Sequence, residues 1–372
     1  QGIMSVLVVS ALLGLVSLAV SPFLPTWLGG NSHITPTASA YFAIVATALP
    51  IFQFSIFGAG MLRSSGNMVV PSVMSVVMMS LDVVFNFFLI FPTRPVELFG
   101  TQIMMPGMGM GVVGAAIGTV SAELVAASIT MYILCFRSKE LSLRIDTGRF
   151  LPTWGVVKRA LHISLPMGLQ QTIMCSAYVR TTIIIAPLGT FAIAANSFGI
   201  IIESLCYMPG YGIADAATTL VGQSMGAGRH ELMKRFAWLS VGLGVTVMAV
   251  MGVVMYVGAP TAMAMMTPAE EVRRLGVEVL RIEAFAEPMF AAAIVSYGVF
   301  VGAAKTLVPS IMNLISIWGV RISLAAMLAP SMGLRGVWIA MCIELCFRGL
   351  IFLVKLKFWN IQTSCKHYGK DE

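Results

Sequence analysis

Residues 60–92 read GMLRSSGNMVVPSVMSVVMMSLDVVFNFFLIFP, and residues 298–330 read GVFVGAAKTLVPSIMNLISIWGVRISLAAMLAP. At a constant offset of 238, Gly60, Pro71, Ser72, Met74 and Pro92 fall on Gly298, Pro309, Ser310, Met312 and Pro330. A second set follows at an offset of 222, where Gly111, Gly114 and Ile117 fall on Gly333, Gly336 and Ile339. The offset drops by 16 because the first copy carries an extra loop, roughly Thr93–Met108. Two ordered matches in one frame mark a tandem duplication.

The duplicated material is strongly apolar. The chain is 58% hydrophobic and 10% charged, with a mean hydropathy of +0.90. Apolar runs long enough to cross a bilayer as helices recur along it. The alternation that barrel strands require is missing from them. The fold class expected is all-α, a polytopic membrane protein of two homologous helical lobes. Ten spans are predicted, near Ile3–Leu24, Tyr41–Leu62, Met68–Phe91, Met110–Phe136, Arg159–Ala186, Phe191–Val221, Phe236–Val257, Val272–Val301, Leu307–Ala329 and Leu334–Phe358. The lobes are then residues 1–140 and 159–372, joined by a cytoplasmic linker at 141–158. The first run has no basic flank or cleavage site, so it does not read as a signal peptide.

Counting loops and span ends together, with Arg348 taken into the C-terminal end, sixteen Lys and Arg residues fall on the side of Gln1 and four (Arg94, Arg273, Arg274 and Arg335) on the other. The positive-inside rule then places both termini in the cytoplasm of a prokaryotic plasma membrane. The net charge of +7 is a topology signal and does not point to nucleic acid. The six cysteines lie in spans or on the inner side and suggest no disulfide framework. The second copy also begins with two spans that have no counterpart in the first. The repeat therefore predicts an intact protein of six plus six helices, lacking its first two here, with both halves in the same orientation.

Several segments carry a resemblance. They are Gly58–Pro71 (GAGMLRSSGNMVVP), Gly109–Thr119 (GMGVVGAAIGT), Pro166, Pro187–Gly199 and Met208–Arg229, the last containing LVGQSMGAG at Leu220–Gly228. Together they resemble the multidrug and toxic compound extrusion (MATE) family of antiporters over essentially the whole chain. The resemblance implies two six-helix lobes around a central cavity. It implies export of organic, often cationic, drugs driven by entry of Na⁺ or H⁺, by alternating access. It further implies small organic substrates and the lipid bilayer as partners, a monomer, no catalytic residues and no cofactor beyond the coupling ion. One family branch places an acidic residue about eight positions after the proline of its seventh helix; here that position is Met174, with Gln170 and Gln171 nearby.

Charges inside spans are costly and point to mechanism. Asp82 and Asn86 lie one turn apart and face the same way, a hard-oxygen pair suited to Na⁺ or a proton, or else a buried polar contact. Glu283 and Glu287 stand just before Pro288, which frees a carbonyl one turn earlier. Arg281 is a possible neutraliser of Glu283. Glu203, with Tyr207 one turn later, is either a cavity carboxylate attracting a cationic substrate or the partner of Arg180. Arg321 falls on Val83 in the first copy, beside Asp82, so it pairs either across the lobes or within its own. Asp215 reads as a packing or capping residue, and His162 and His230 form no metal cluster. Glu123 and Glu344 sit on equivalent helices one position out of register. Trp27, Trp154 and Trp359 are expected as interface anchors.

The methionines, 27 of them, offer adaptable apolar surface for varied substrates, or simply core and lipid contact. Three other classes remain as readings of these residues. A lipid-linked oligosaccharide flippase of related fold should carry a more basic cavity than Arg180 and Arg321 provide. A channel would show no response to an opposing ion gradient, and an intramembrane enzyme would need a catalytic set that four unpaired histidines do not supply.

Overall fold

The computed structural model describes residues 1–27, 35–98, 101–138, 141–142 and 151–359. Its backbone repeats where the sequence repeats. Gly66 and Ala304, related by the offset of 238, both have positive φ, at 86° and 53°. Gly111 and Gly333, related by 222, also do, at 55° and 62°. The helices that follow start at matching positions: α5 (Val69–Ile90) begins in register with α12 (Leu307–Leu314), and α6 (Gly111–Tyr132) within one residue of α14 (Leu334–Lys357). A Cβ on Gly114 would lie 2.5 Å from the Leu89 carbonyl oxygen, and one on Gly336 would lie 2.5 Å from that of Leu328. Each copy thus packs a helix against the end of its predecessor through a glycine that no larger residue can replace without a shift.

The chain divides into two compact units, Gln1–Arg159 and Ala160–Glu372. In the first, α1 (Gly2–Val20) and the short α2 (Leu24–Trp27) precede α3 (Thr35–Thr47) and α4 (Leu49–Ser64), which meet at a 45° bend. Pro50 at the start of α4 cannot donate a backbone hydrogen bond, consistent with the break. Helix α4 and α5 both pack on α6. Residues expected as a loop after α5 form an antiparallel hairpin, β1 (Pro92–Leu98) with β2 (Thr101–Met108). The all-α expectation therefore needs this one amendment. Arg94 lies over the Phe91 ring, 3.9 Å from its centroid, at the root of that hairpin.

In the second unit α7 (Trp154–Ile185), begun in the first, is followed by α8 (Thr190–Gly226), α9 (His230–Met266), α10 (Glu270–Glu283) and α11 (Glu287–Gly302). Then come α12, π-helical turns at Ile315–Ile322, α13 (Ser323–Met332) and α14. Helix α11 is the axis of this unit, packed on α8, α9 and α14. Its sequence is rich in Ala and Gly, which lets backbones approach closely where lipid offers no hydrophobic driving force. Gly298 seats against the Ala214 carbonyl, and Thr218 Oγ1 donates to the Gly298 carbonyl at 2.8 Å.

Among the described residues, seven helices are long and apolar enough to cross a membrane, or nine when each bent pair counts as one span. Of the ten spans expected, α7 is long enough but too polar to meet that test. The predicted span Val272–Val301 is not one helix. It breaks between α10 and α11 with a bend of 59°. Trp359 packs its ring 5.1 Å from that of Phe300 and so serves the core more than an interface, whereas Trp154 is exposed. The side chain of Trp27 lies outside the described residues.

Candidate functional site

The break between α10 and α11 places two carboxylates in the interior of the second unit. Glu283 closes α10 and Glu287 opens α11, and each is 1% exposed. Pro288 follows at once, so the chain lacks a donor where the helix would continue. All four carboxylate oxygens are buried without a hydrogen-bond partner. The interior narrows around them: a Cβ on Gly252 of α9 would lie 2.7 Å from the Ala284 carbonyl oxygen and 3.3 Å from Glu287 Cβ. Arg281 does not neutralise Glu283. Residues two apart on a helix face different sides, and Arg281 is exposed while Glu283 is buried.

Glu203 of α8 is 7% exposed. It lies within electrostatic reach of Glu283 and Glu287, and of Arg321 and Arg348. Arg180 is exposed, and among the described residues it forms no ion pair with Glu203. One turn below Glu203, Tyr207 packs edge-on against Phe290, ring centroids 5.6 Å apart. The Arg348 guanidinium sits over the same Phe290 ring, 5.3 Å from its centroid.

Arg321 is held within its own unit. Its Nε and Nη2 both donate to Oε2 of Glu344, at 3.1 and 2.8 Å. Ser316 Oγ donates to Oε1 of the same carboxylate at 2.6 Å. Arg348 Nε stands 3.1 Å from Glu344 Oε1 but is not directed at it, so that contact is an ion pair without a hydrogen bond. The π-helical turns explain why Ser316 and Arg321 reach one acceptor. In an α-helix, residues five apart point roughly 140° away from each other, whereas a π turn joins i to i+5 and stacks them. In the sequence Glu344 stood only as the out-of-register counterpart of Glu123 and Arg348 only as an inner-side basic residue, although a Glu and an Arg at i and i+4 in an otherwise apolar span were a usable signal of a pair.

In the first unit, Asp82 and Asn86 share a face of α5, and Oδ1 of each is buried without a partner. Asn86 Oδ1 lies against Gly118 of α6, where a Cβ would collide with it. Two unpartnered oxygens one turn apart can accept a cation or a proton donor. Gln170 of α7 accepts from Tyr297 of α11 at 3.1 Å and from Ser310 of α12, so it ties three elements together. Among the described residues no three His, Cys, Asp or Glu side chains converge as a metal site.

The family model MatE matches residues 1–88 and 166–327, more than half of the chain. These ranges take in Asp82, Asn86, Glu203, Glu283, Glu287 and Arg321, while Glu344 and Arg348 lie beyond them. Among curated proteins, "Probable multidrug resistance protein NorM" of Thermotoga maritima is 26% identical over 87% of this chain and 67% of its own length. A protein of the same name from Xylella fastidiosa is 28% identical over 65% of this chain and 52% of its own. The chain thus spans about half to two thirds of these relatives. A solved structure of MATE in the straight conformation, 20% identical, superposes with a TM-score of 0.86 over 98% of this chain and 78% of that one, a likeness of fold alone. Duplicated apolar halves, a common fold and a matching family model agree, and the chain belongs to the MatE family.

Proposed function

We propose that this protein is a cation-coupled antiporter that exports organic, often cationic, compounds by alternating access, with Na⁺ or H⁺ as the coupling ion. The observation that carries this reading is the pair Glu283 and Glu287, buried at a broken span with four oxygens that no protein group satisfies. A buried, unpartnered carboxylate is too costly to keep for packing alone. Binding a proton or Na⁺ removes that cost, and any movement of the break that exposes the pair changes how tightly the ion is held. An ion drives switching only to the extent that it binds the two states differently. The break with its 59° bend is the element able to supply that difference. Asp82 and Asn86 offer a second position of the same kind in the first unit. Glu203 is the anionic group suited to a cationic substrate, with Tyr207 and Phe290 supplying an aromatic surface.

The names of the NorM relatives support multidrug efflux. Arg321 and Arg348 share the one carboxylate of Glu344, and among the described residues Glu203 and Glu283 also lie within their electrostatic reach, an excess of negative groups that favours an organic cation over the anionic headgroup of a lipid-linked sugar. A prokaryotic plasma membrane with both termini cytoplasmic, and a monomer acting on small molecules in the bilayer without catalytic residues, complete the proposal. It is tested by dye efflux from cells producing Glu283→Gln, Glu287→Gln and Asp82→Asn variants. Loss of efflux with unchanged membrane insertion is expected for at least the Glu287 variant. Full efflux from all three would remove these carboxylates from the mechanism.

A further inference from the structure

On the side of α10 opposite α8, an apolar hollow of about 370 Å³ opens between α9 and α14. Its walls include Tyr256 of α9, Arg281 of α10, Phe285 at the break, and Ile339 and Ile343 of α14. The volume falls in the range of ligand pockets, about 300–1,000 Å³. Arg281 is the one charged residue lining it. Its guanidinium sits over the Tyr256 ring, 5.2 Å from the centroid, and the Phe285 ring meets Tyr256 edge-on at 5.8 Å. Phe285 is 72% exposed, so the hollow faces out of the bundle.

Three elements bracket its depth. Arg281 is eleven residues into α10, Tyr256 ten residues from the end of α9, and Ile339 five residues into α14. At 1.5 Å per residue these lie about 16, 15 and 8 Å from the same end of the bundle. A helical side chain leans toward the N-terminus of its helix, so the guanidinium reaches from the hollow toward that polar end. A basic stripe leads there. Arg274, Glu278 and Arg281 share one face of α10, with Phe285 in the turn just beyond it, and the carboxylate of Glu278 is already bound to Arg335 at 2.6 Å. Among the described residues, neither Arg274 nor Arg281 has an ion-pair partner.

A cation turned outward at the mouth of an apolar hollow, in the wall of a membrane-spanning bundle, calls for an occupant that is anionic at one end and apolar at the other. We propose that this hollow binds an anionic phospholipid, its phosphate on Arg281 with Arg274 nearby, and an acyl chain along Phe285, Ile339 and Ile343. The site lies on the back of the α10–α11 break, so its occupancy bears on the element that holds Glu283 and Glu287. Binding itself does not depend on the transport reading.

The test uses the purified protein and phosphatidylglycerol carrying a photoreactive acyl chain, with crosslinks mapped by mass spectrometry. Labelling is expected on peptides containing Phe285, Ile339 or Ile343. Unlabelled phosphatidylglycerol should displace it about fivefold more effectively than phosphatidylcholine, whose choline cancels the phosphate charge, the factor that one arginine supplies toward a net anionic lipid. Arg281→Ala should lower labelling by a similar factor. Ile339→Trp, which fills the hollow and keeps the arginine, should lower it too and decides the matter if Arg281→Ala does not fold. Equal displacement by the two lipids, labelling indifferent to both substitutions, or displacement by glycerol phosphate as effective as by the whole lipid would overturn the proposal.

Discussion

Replacing Glu344 by Gln is expected to destabilise the second unit severely, and for one reason. Glu344 is fully buried, and its carboxylate is the ion-pair partner of both Arg321, 13% exposed at the side chain, and Arg348, 7% exposed. Glutamine keeps the shape but has one acceptor oxygen in place of two, and it leaves two guanidinium charges in the interior without the anion that pairs with them. Removing one partner of a buried ion pair costs about 3–5 kcal/mol. Lost hydrogen bonds alone cannot reach that figure, because interhelical hydrogen bonds in a membrane protein average about 0.6 kcal/mol each. For a unit of this size the cost is a fall in thermal midpoint of roughly 6–20 °C. The assay is the fraction of detergent-solubilised protein that stays monodisperse after a heat challenge. The triple replacement Arg321→Met, Glu344→Leu and Arg348→Met removes every stranded charge and should recover most of the loss. A midpoint for Glu344→Gln within about 3 °C of the native protein, or a triple variant worse than the single one, would refute the reasoning.

Glu287→Gln should behave in the opposite way: it removes an unpartnered charge, so the thermal midpoint should equal or exceed the native one while gradient-driven efflux falls roughly tenfold or more. Gly252→Val brings a side chain against the Ala284 carbonyl at the break, and a loss of about 1–3 kcal/mol is expected in the same heat challenge. Ala304 holds a φ of 53° where the first copy has Gly66; Ala304→Gly should raise the midpoint by about 1–3 °C, relief of backbone strain outweighing the extra freedom of the unfolded chain. Gly118→Ala should push Asn86 off its seat and lower stability by about 1–3 kcal/mol, measured likewise.

The duplication was legible because it rests on residues with backbone consequences. Gly66, Gly111 and Gly333 recur where φ is positive, and Pro71 and Pro309 lie in the first turn of matched helices. The spans were legible because a hydrocarbon environment leaves little else for long apolar runs to become. Pro288 signalled the special backbone at Glu287, but the size of the bend depends on how α9 and α14 pack on it. The Glu283 side chain was open to either reading until Arg281 was seen to face away. The network around Glu344 was hidden for another reason. Repeat arithmetic puts Arg321 beside Asp82 and left pairing across the lobes and pairing within one lobe both open; the π-helical turns direct Arg321 toward Glu344 of α14, and no periodicity count reveals such turns. The hairpin at Pro92–Met108 was hidden too, since Pro95 and Pro106 argue against strands in an isolated reading.

The most direct test of ion coupling is transport by the purified protein in liposomes loaded with a fluorescent organic cation, with a Na⁺ gradient and a pH gradient imposed separately. The account predicts that an inward gradient of one of these ions drives dye outward against its own gradient, and that Glu287→Gln abolishes this while inserting normally. Dye movement that ignores both gradients, or that persists undiminished in Glu287→Gln, would contradict it.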